Sequence, residues 1–265
     1  MLRADNVFKT FNAGSVNEKT ALAGVDLQLS SADFVTIIGG NGAGKSTLLN
    51  VVAGVFPLDR GGIAIGGDMI EKQPEHRRAA DIGRVFQDPL MGTAATMTIE
   101  ENLSMAYRRG KRRRLKWGIT AGERKFFKEQ LAQLDLGLET RLKSKVGLLS
   151  GGQRQALTLL MATMTEPKLL LLDEHTAALD PKTAQKVLEL TDKIVDTHKL
   201  TTLMVTHNMR DALKHGNRTI MMHEGKIILD LQHEQKQKTK VDDLMRMFEK
   251  VSGNKMANDR MLLAN

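Results

Sequence analysis

The chain has 265 residues, enough for one large α/β domain, alone or with a subdomain, to bury a sizeable core. It contains no cysteine, which excludes disulfide frameworks, thiolate zinc sites and iron–sulfur ligation. The formal net charge is +8, and the obvious local excess is the run Arg108-Arg109-Gly110-Lys111-Arg112-Arg113-Arg114-Leu115-Lys116-Trp117.

Such a run suits a nucleic-acid or anionic-lipid contact, or is a solvated face, which is the commoner outcome for clustered charge. One Trp and one Tyr offer little for base stacking, so no specific nucleic acid is expected. At the N-terminus, Arg3, Asp5 and Lys9 interrupt any apolar core of a signal peptide, and none is expected. Apolar runs such as residues 169–172 are strand-length, far short of the ~20 residues of a spanning helix, so any membrane work is expected to go through partners.

No repeat of solenoid length and no low-complexity linker divides the chain, which reads as a single unit over 1–265. Short apolar or alternating runs at 25–29, 35–38 and 63–65, separated by Gly and Ser, predict strands. After Gly44 the pattern changes: Leu48, Leu49, Val52 and Ala53 stand at helical spacing, and Gly54 ends the stretch. A strand therefore feeds a glycine loop and then a helix. The middle, about 92–165, is poor in strand signals and predicts an inserted helical subdomain, with amphipathic stretches at 123–134 and 153–164. Strand-like runs at 169–173 and 201–206 flank a helix at 181–199, which Asp180 caps and Pro181 starts. Strand, helix, strand implies a parallel sheet. Residues 219–223 and 226–229 around Glu224-Gly225 predict a hairpin, and a polar tail from 232 carries one amphipathic helix near 241–251.

The loop Gly39-Gly40-Asn41-Gly42-Ala43-Gly44-Lys45-Ser46 fits G-x-x-x-x-G-K-[ST], and Thr47 follows it. Glycines let the backbone wrap phosphates with its N–H groups inward, and the helix that follows adds its positive end. Lys45 can then reach the β and γ phosphates while the Ser46 hydroxyl suits Mg²⁺, so ATP with magnesium is the expected ligand. The apolar run 169–172 ends in Asp173-Glu174. At the carboxyl end of a parallel strand, Asp173 would hold Mg²⁺ through water and Glu174 would polarise the attacking water as general base.

Leu149-Ser150-Gly151-Gly152-Gln153 resembles the signature motif of ATP-binding cassette proteins, and the resemblance extends over nearly the whole chain. A serine hydroxyl and exposed N–H groups at a helix start suit a γ-phosphate. The resemblance implies a P-loop ATPase core with a parallel sheet, an antiparallel β subdomain and an inserted α-helical subdomain. It also implies that Phe11 stacks on adenine, where tyrosine is commoner. Gln87 resembles the Q-loop glutamine that links Mg²⁺ to a membrane partner, Asp180 lies in a D-loop-like Ala178-Leu179-Asp180, and His207 resembles the switch histidine. One departure is His175, where many members have proline; a loop residue with a satisfied ring is expected there, an extra acid or base being the alternative.

The family's arrangement sandwiches each nucleotide between the phosphate loop of one cassette and the signature of another, which implies a homodimer. It further implies transmembrane permease subunits, an extracellular or periplasmic substrate-binding protein, and a place at the cytoplasmic face of the cell membrane. The leading expectation is the ATP-hydrolysing subunit of an importer of a small solute, an amino acid or similar. Alternatives are a cassette ATPase that works without a transporter, and an exporter or lipoprotein-release ATPase.

Overall fold

The computed structural model describes residues 1–111 and 118–252; the part of the basic run at 112–117 and the tail beyond 252 lie outside the described residues. The chain forms two compact units, Met1–Arg78 with the chain from Lys199 onward, and Ala79–His198.

In the first unit, β1 (Leu2–Phe11) pairs antiparallel with β2 (Lys19–Leu29). Sequence reasoning predicted only the last part of β2 and none of β1. Register shifts around Val7 and Lys9 interrupt the period-two alternation by which a half-buried strand is read. The chain continues through β3 (Phe34–Ile38), every residue of which is buried, into α1 (Lys45–Ala53), with the predicted bounds. Then follow β4 (Arg60–Ile65), β5 (Asp68–Met69) and the short α2 (Glu75–Arg78). β2, β1, β4 and β5 form an antiparallel sheet in that order.

The second unit starts with β6 (Ile82–Val85), which was not predicted, and then carries α3 (Ile99–Tyr107), α4 (Ala121–Ala132) and α5 (Gly151–Thr163). Ile99, Leu103, Phe127, Leu131 and Leu157 are fully buried between these helices. Each helix opens on a capping box: Thr98 with Glu101, Thr120 with Glu123, and Ser150 with Gln153. β7 (Leu169–Asp173) runs parallel to β6, and α6 (Pro181–His198) follows, with Asp180 Oδ1 accepting from the Thr183 N–H at 3.1 Å. At the start of the basic run Arg109 turns into this packing, whereas Arg108 stays exposed, as a solvated face would have it. Arg109 donates to the Ala162 carbonyl at 2.9 Å and to Thr165 Oγ1 at 3.1 Å, and Arg108 pairs with Glu123 at 3.2 Å.

Back in the first unit, β8 (Thr201–Val205), α7 (Met209–Lys214), β9 (Arg218–His223) and β10 (Lys226–Leu231) precede α8 (His233–Lys238) and α9 (Val241–Ser252). β3 lies between β8 and β9 and runs parallel to both. β9 and β10 form the predicted hairpin, turned by Glu224 at φ 46° and Gly225 at φ 75°. Two successive positive φ angles match the twist of a tight hairpin, and Gly225 adopts its angle without strain. Leu244 and Phe248 of α9 are buried with Ile38 and Met221, so the tail helix covers the end of β3. The expected architecture holds: a P-loop core with parallel strands, an antiparallel β subdomain and a helical insertion.

Candidate functional site

β3 delivers the chain to residues 39–46 at its carboxyl end. Gly44 is the N-cap of α1 at φ 101°, and a Cβ there would overlap the Ala21 carbonyl oxygen. No side chain caps α1 and its first turn holds no acid, so its leading N–H groups and positive end face the loop. Lys45 is buried, and its ammonium donates to the carbonyls of Gly39 at 2.7 Å and Gly40 at 3.1 Å, which holds it over the loop. Ser46 is exposed, and Asn41 and Gly42 stand at the open rim. A helix start without a side-chain cap, a cation held over the loop and an exposed hydroxyl are the donor set for a metal-bound phosphate chain.

The far end of α1 depends on a residue that sequence reasoning missed. Arg78, 4% exposed, donates to the Val51 and Val52 carbonyls at 2.8 and 2.9 Å and to the Glu71 and Gln73 carbonyls at 3.0 and 2.8 Å. α1 has no basic residue in its own last turn, so this guanidinium complements its negative end from outside the helix. Nothing local in the sequence links Arg78 to a helix that ended 25 residues earlier, at Ala53.

Two more groups lie in this unit. Ile37 pairs with Val205 across the parallel β3 and β8, so Gly39 and His207 leave adjacent strand ends two residues beyond the pair. His207 is exposed between Thr206 and Asn208, whose side chain caps α7 by accepting from the N–H groups of Arg210 and Asp211. Phe11 ends β1 half-buried, packed edge-on against Phe56 at 5.2 Å between centroids. Lys19 lies opposite Phe11 in the β1–β2 register, and its ammonium would be 3.1 Å from a Cβ placed on Gly42. Lys19 is a second cation at the loop that the sequence did not single out; its signal is a cross-strand pairing with Phe11, legible only once β1 is known.

The second unit repeats the strand-end logic. Val85 of β6 pairs with Leu172 of β7, so Gln87 and the Asp173-Glu174 pair emerge side by side. Gln87 is exposed, whereas Asp173 and Glu174 are half-buried. α5 is tied to the same edge by Gln155, which donates to the Phe86 carbonyl at 3.5 Å. At the head of α5, Ser150 Oγ accepts from the Gln153 N–H at 3.3 Å, and Gln153 Oε1 accepts from the Ser150 N–H at 3.2 Å. Gln153 also reaches the Leu136 carbonyl at 3.4 Å. His175 is buried, and its Nε2 lies 3.1 Å from Thr191 Oγ1. Phe11, the phosphate loop and His207 thus belong to one unit, and Gln87, the Ser150 motif, Asp173, Glu174 and Asp180 to the other.

A parallel-strand core with a phosphate loop, a strand-end acid pair and a capped signature helix defines the ATP-binding cassette class of P-loop ATPase. The chain belongs to the ABC transporter family, whose model matches residues 22–177. It is an ABC-type ATPase and the nucleotide-binding subunit of a transporter. It is 43% identical over 249 residues to the tyrosine transport ATP-binding protein of Clostridioides difficile, covering 94% of this chain and 99% of that protein. It is 34% identical to the thiamine import ATP-binding protein of Yersinia pestis, over 77% of this chain and 82% of that one. Among solved structures, a dimeric ATP-binding cassette in a post-hydrolysis state with ADP and Pi superposes with a TM-score of 0.74 at 30% identity, over 88% of this chain and 98% of that chain. These matches set aside the expectation of a cassette that works without a transporter. Among the described residues no helix is long and apolar enough to cross a membrane.

Proposed function

We propose that this chain is the ATP-hydrolysing coupling subunit of an importer for an amino acid, tyrosine or a related aromatic one. The observation that carries the reading is the 43% identity to a tyrosine transport ATP-binding protein over nearly the full length of both chains. In this reading residues 39–47 and the α1 N-terminus hold the ATP phosphates, Lys45 neutralises the β and γ groups, and Phe11 stacks on adenine. Lys19 adds a second cation at the loop.

Magnesium keeps much of its water shell and takes one or two protein oxygens beside phosphate, a demand that the exposed Ser46 hydroxyl and the Asp173 carboxylate fit, with Gln87 at the same strand ends as Asp173. When bound, the ion offsets charge on the β and γ phosphates. Glu174 polarises the attacking water, and His207 contacts the γ-phosphate from the end of β8. Ser150, Gly151, Gly152 and Gln153 of one copy face the nucleotide of a second copy, with Asp180 at the same junction, so the working unit is a homodimer with two sites.

Permease subunits dock near Gln87, where Leu90 and Met91 stand 49% and 69% exposed, and an extracellular binding protein delivers the solute. The chain then works as a peripheral subunit at the cytoplasmic face.

Reconstitution with the permease that co-purifies with the chain, and with its binding protein, tests this directly. Tyrosine should stimulate ATP turnover and enter proteoliposomes against its gradient. Uptake of a non-amino-acid solute in its place, or outward movement, would overturn the assignment.

A further inference from the structure

We propose that His175 is a positioning residue for Glu174, holding the turn that aims this carboxylate through a hydrogen bond to Thr191 on α6. The proposal rests on the reading of Glu174 as the group that polarises water. Glu174 leaves β7 with φ at 44°, in the left-handed region that costs a residue bearing a side chain about 1 kcal/mol or more. Such a conformation persists only where its surroundings enforce it.

Three restraints meet at this turn. The strand before it is held by β6 up to Leu172. The Ala177 N–H donates to the Glu174 carbonyl at 2.9 Å and closes the chain reversal. The third is the His175 ring. His175 is 2% exposed and Thr191 0%, so water has no access to replace either partner. The Thr191 hydroxyl has a single proton, and it is directed to the Val187 carbonyl at 2.8 Å. Its oxygen therefore accepts, and His175 Nε2–H donates across 3.1 Å. That bond places a proton on Nε2 and pins the residue next to Glu174 to the buried face of an 18-residue helix. Loss of Thr191 takes the buried acceptor from His175 Nε2, loss of His175 takes the ring from the turn, and either frees the peptide that orients Glu174.

The test compares steady-state ATP turnover and MgATP affinity of the full chain in Thr191→Val, Thr191→Ser, His175→Leu and His175→Gln. Thr191→Val and His175→Leu should each lower kcat about tenfold with KM and MgATP affinity unchanged, and the double variant should be no slower than the worse single one. Serine at 191 keeps the hydroxyl, and glutamine at 175 places an N–H near the position of Nε2, so both should stay within about threefold of the parent. Thr191→Val turning over at the parent rate, a loss confined to KM or affinity, or Gln no better than Leu at 175 would each overturn the proposal. Glu174→Gln separates the two claims. Normal turnover in that variant removes the reading of Glu174 itself, whereas an inactive Glu174→Gln beside a fully active Thr191→Val removes only the positioning role.

Discussion

α1 and α5 both begin with small residues where a phosphate is expected, yet their ends are finished in opposite ways. α1 starts from Gly44, with no side-chain cap and no acid in its first turn, so no side chain of its own offsets its positive end. α5 starts from Ser150 inside a complete capping box that already occupies two backbone donors. α3 and α4 show what differs about that box. Theirs closes with Glu101 and Glu123, whose charge complements the positive helix end, whereas α5 closes with the neutral Gln153 and has no acid in its first turn. The cap on α5 thus stabilises the helix while leaving its electrostatic attraction for an anion intact. Under the proposed function, one helix start serves as a receptor in its own right and the other as a surface completed by a second copy.

Among changes to the helix caps and anchors, the largest expected effect comes from making α5 resemble its neighbours. Gln153→Glu keeps the cap and should leave the unfolding midpoint unchanged or slightly higher, while ATP-driven pairing and turnover fall by about 100-fold. Size-exclusion chromatography with MgATP and a turnover assay read both, and unimpaired pairing would show that the neutral cap has no functional meaning. Next is the opposite end of α1. Arg78→Met strands four carbonyl partners and should lower unfolding free energy by roughly 2–3 kcal/mol in a denaturant titration, with MgATP affinity weakened several-fold. A stability loss without any change in affinity would separate the anchor from the phosphate loop.

A smaller effect distinguishes the two kinds of capping box. Ser150→Ala and Thr120→Ala should each cost about 1 kcal/mol, but only the former should slow ATP turnover. The smallest effect is in acid. The Thr120 N–H, together with Arg108, holds the Glu123 carboxyl below the ordinary value of 4.5. A lowered folded value means that this stabilisation is complete above the unfolded value and is lost as pH falls through the folded one. Stability should therefore drop by a few tenths of a kcal/mol below about pH 4.5, and Glu123→Gln should remove that part of the acid sensitivity. The equivalent cap on α5, closed by an amide, should show none.

The sequence was most legible where spacing and chemistry coincide. The bounds of α1, the helix after Pro181 and the hairpin at Glu224-Gly225 could be read from glycines, caps and apolar spacing, and the phosphate loop from its glycines and Lys45. β1 was not legible because its bulges break the alternation, and β6 because four residues are too short to show a period. Arg78 and Lys19 were invisible for another reason. Each acts on a segment distant in sequence, one through helix carbonyls and the other across a strand pair. The basic run misled at its start, since Arg109 turns inward to Ala162 and Thr165. His175 was expected to be a loop residue with a satisfied ring; its buried bond to Thr191 gives that ring a specific partner.

Calorimetric titration of MgATP into Lys45→Ala is the most direct test of the claim that the loop after β3 grips the triphosphate. Affinity should fall by at least about 100-fold and turnover should vanish while the fold is retained, because the Lys45 ammonium is bonded directly to the loop carbonyls of Gly39 and Gly40. Parent-like affinity together with parent-like turnover would contradict it.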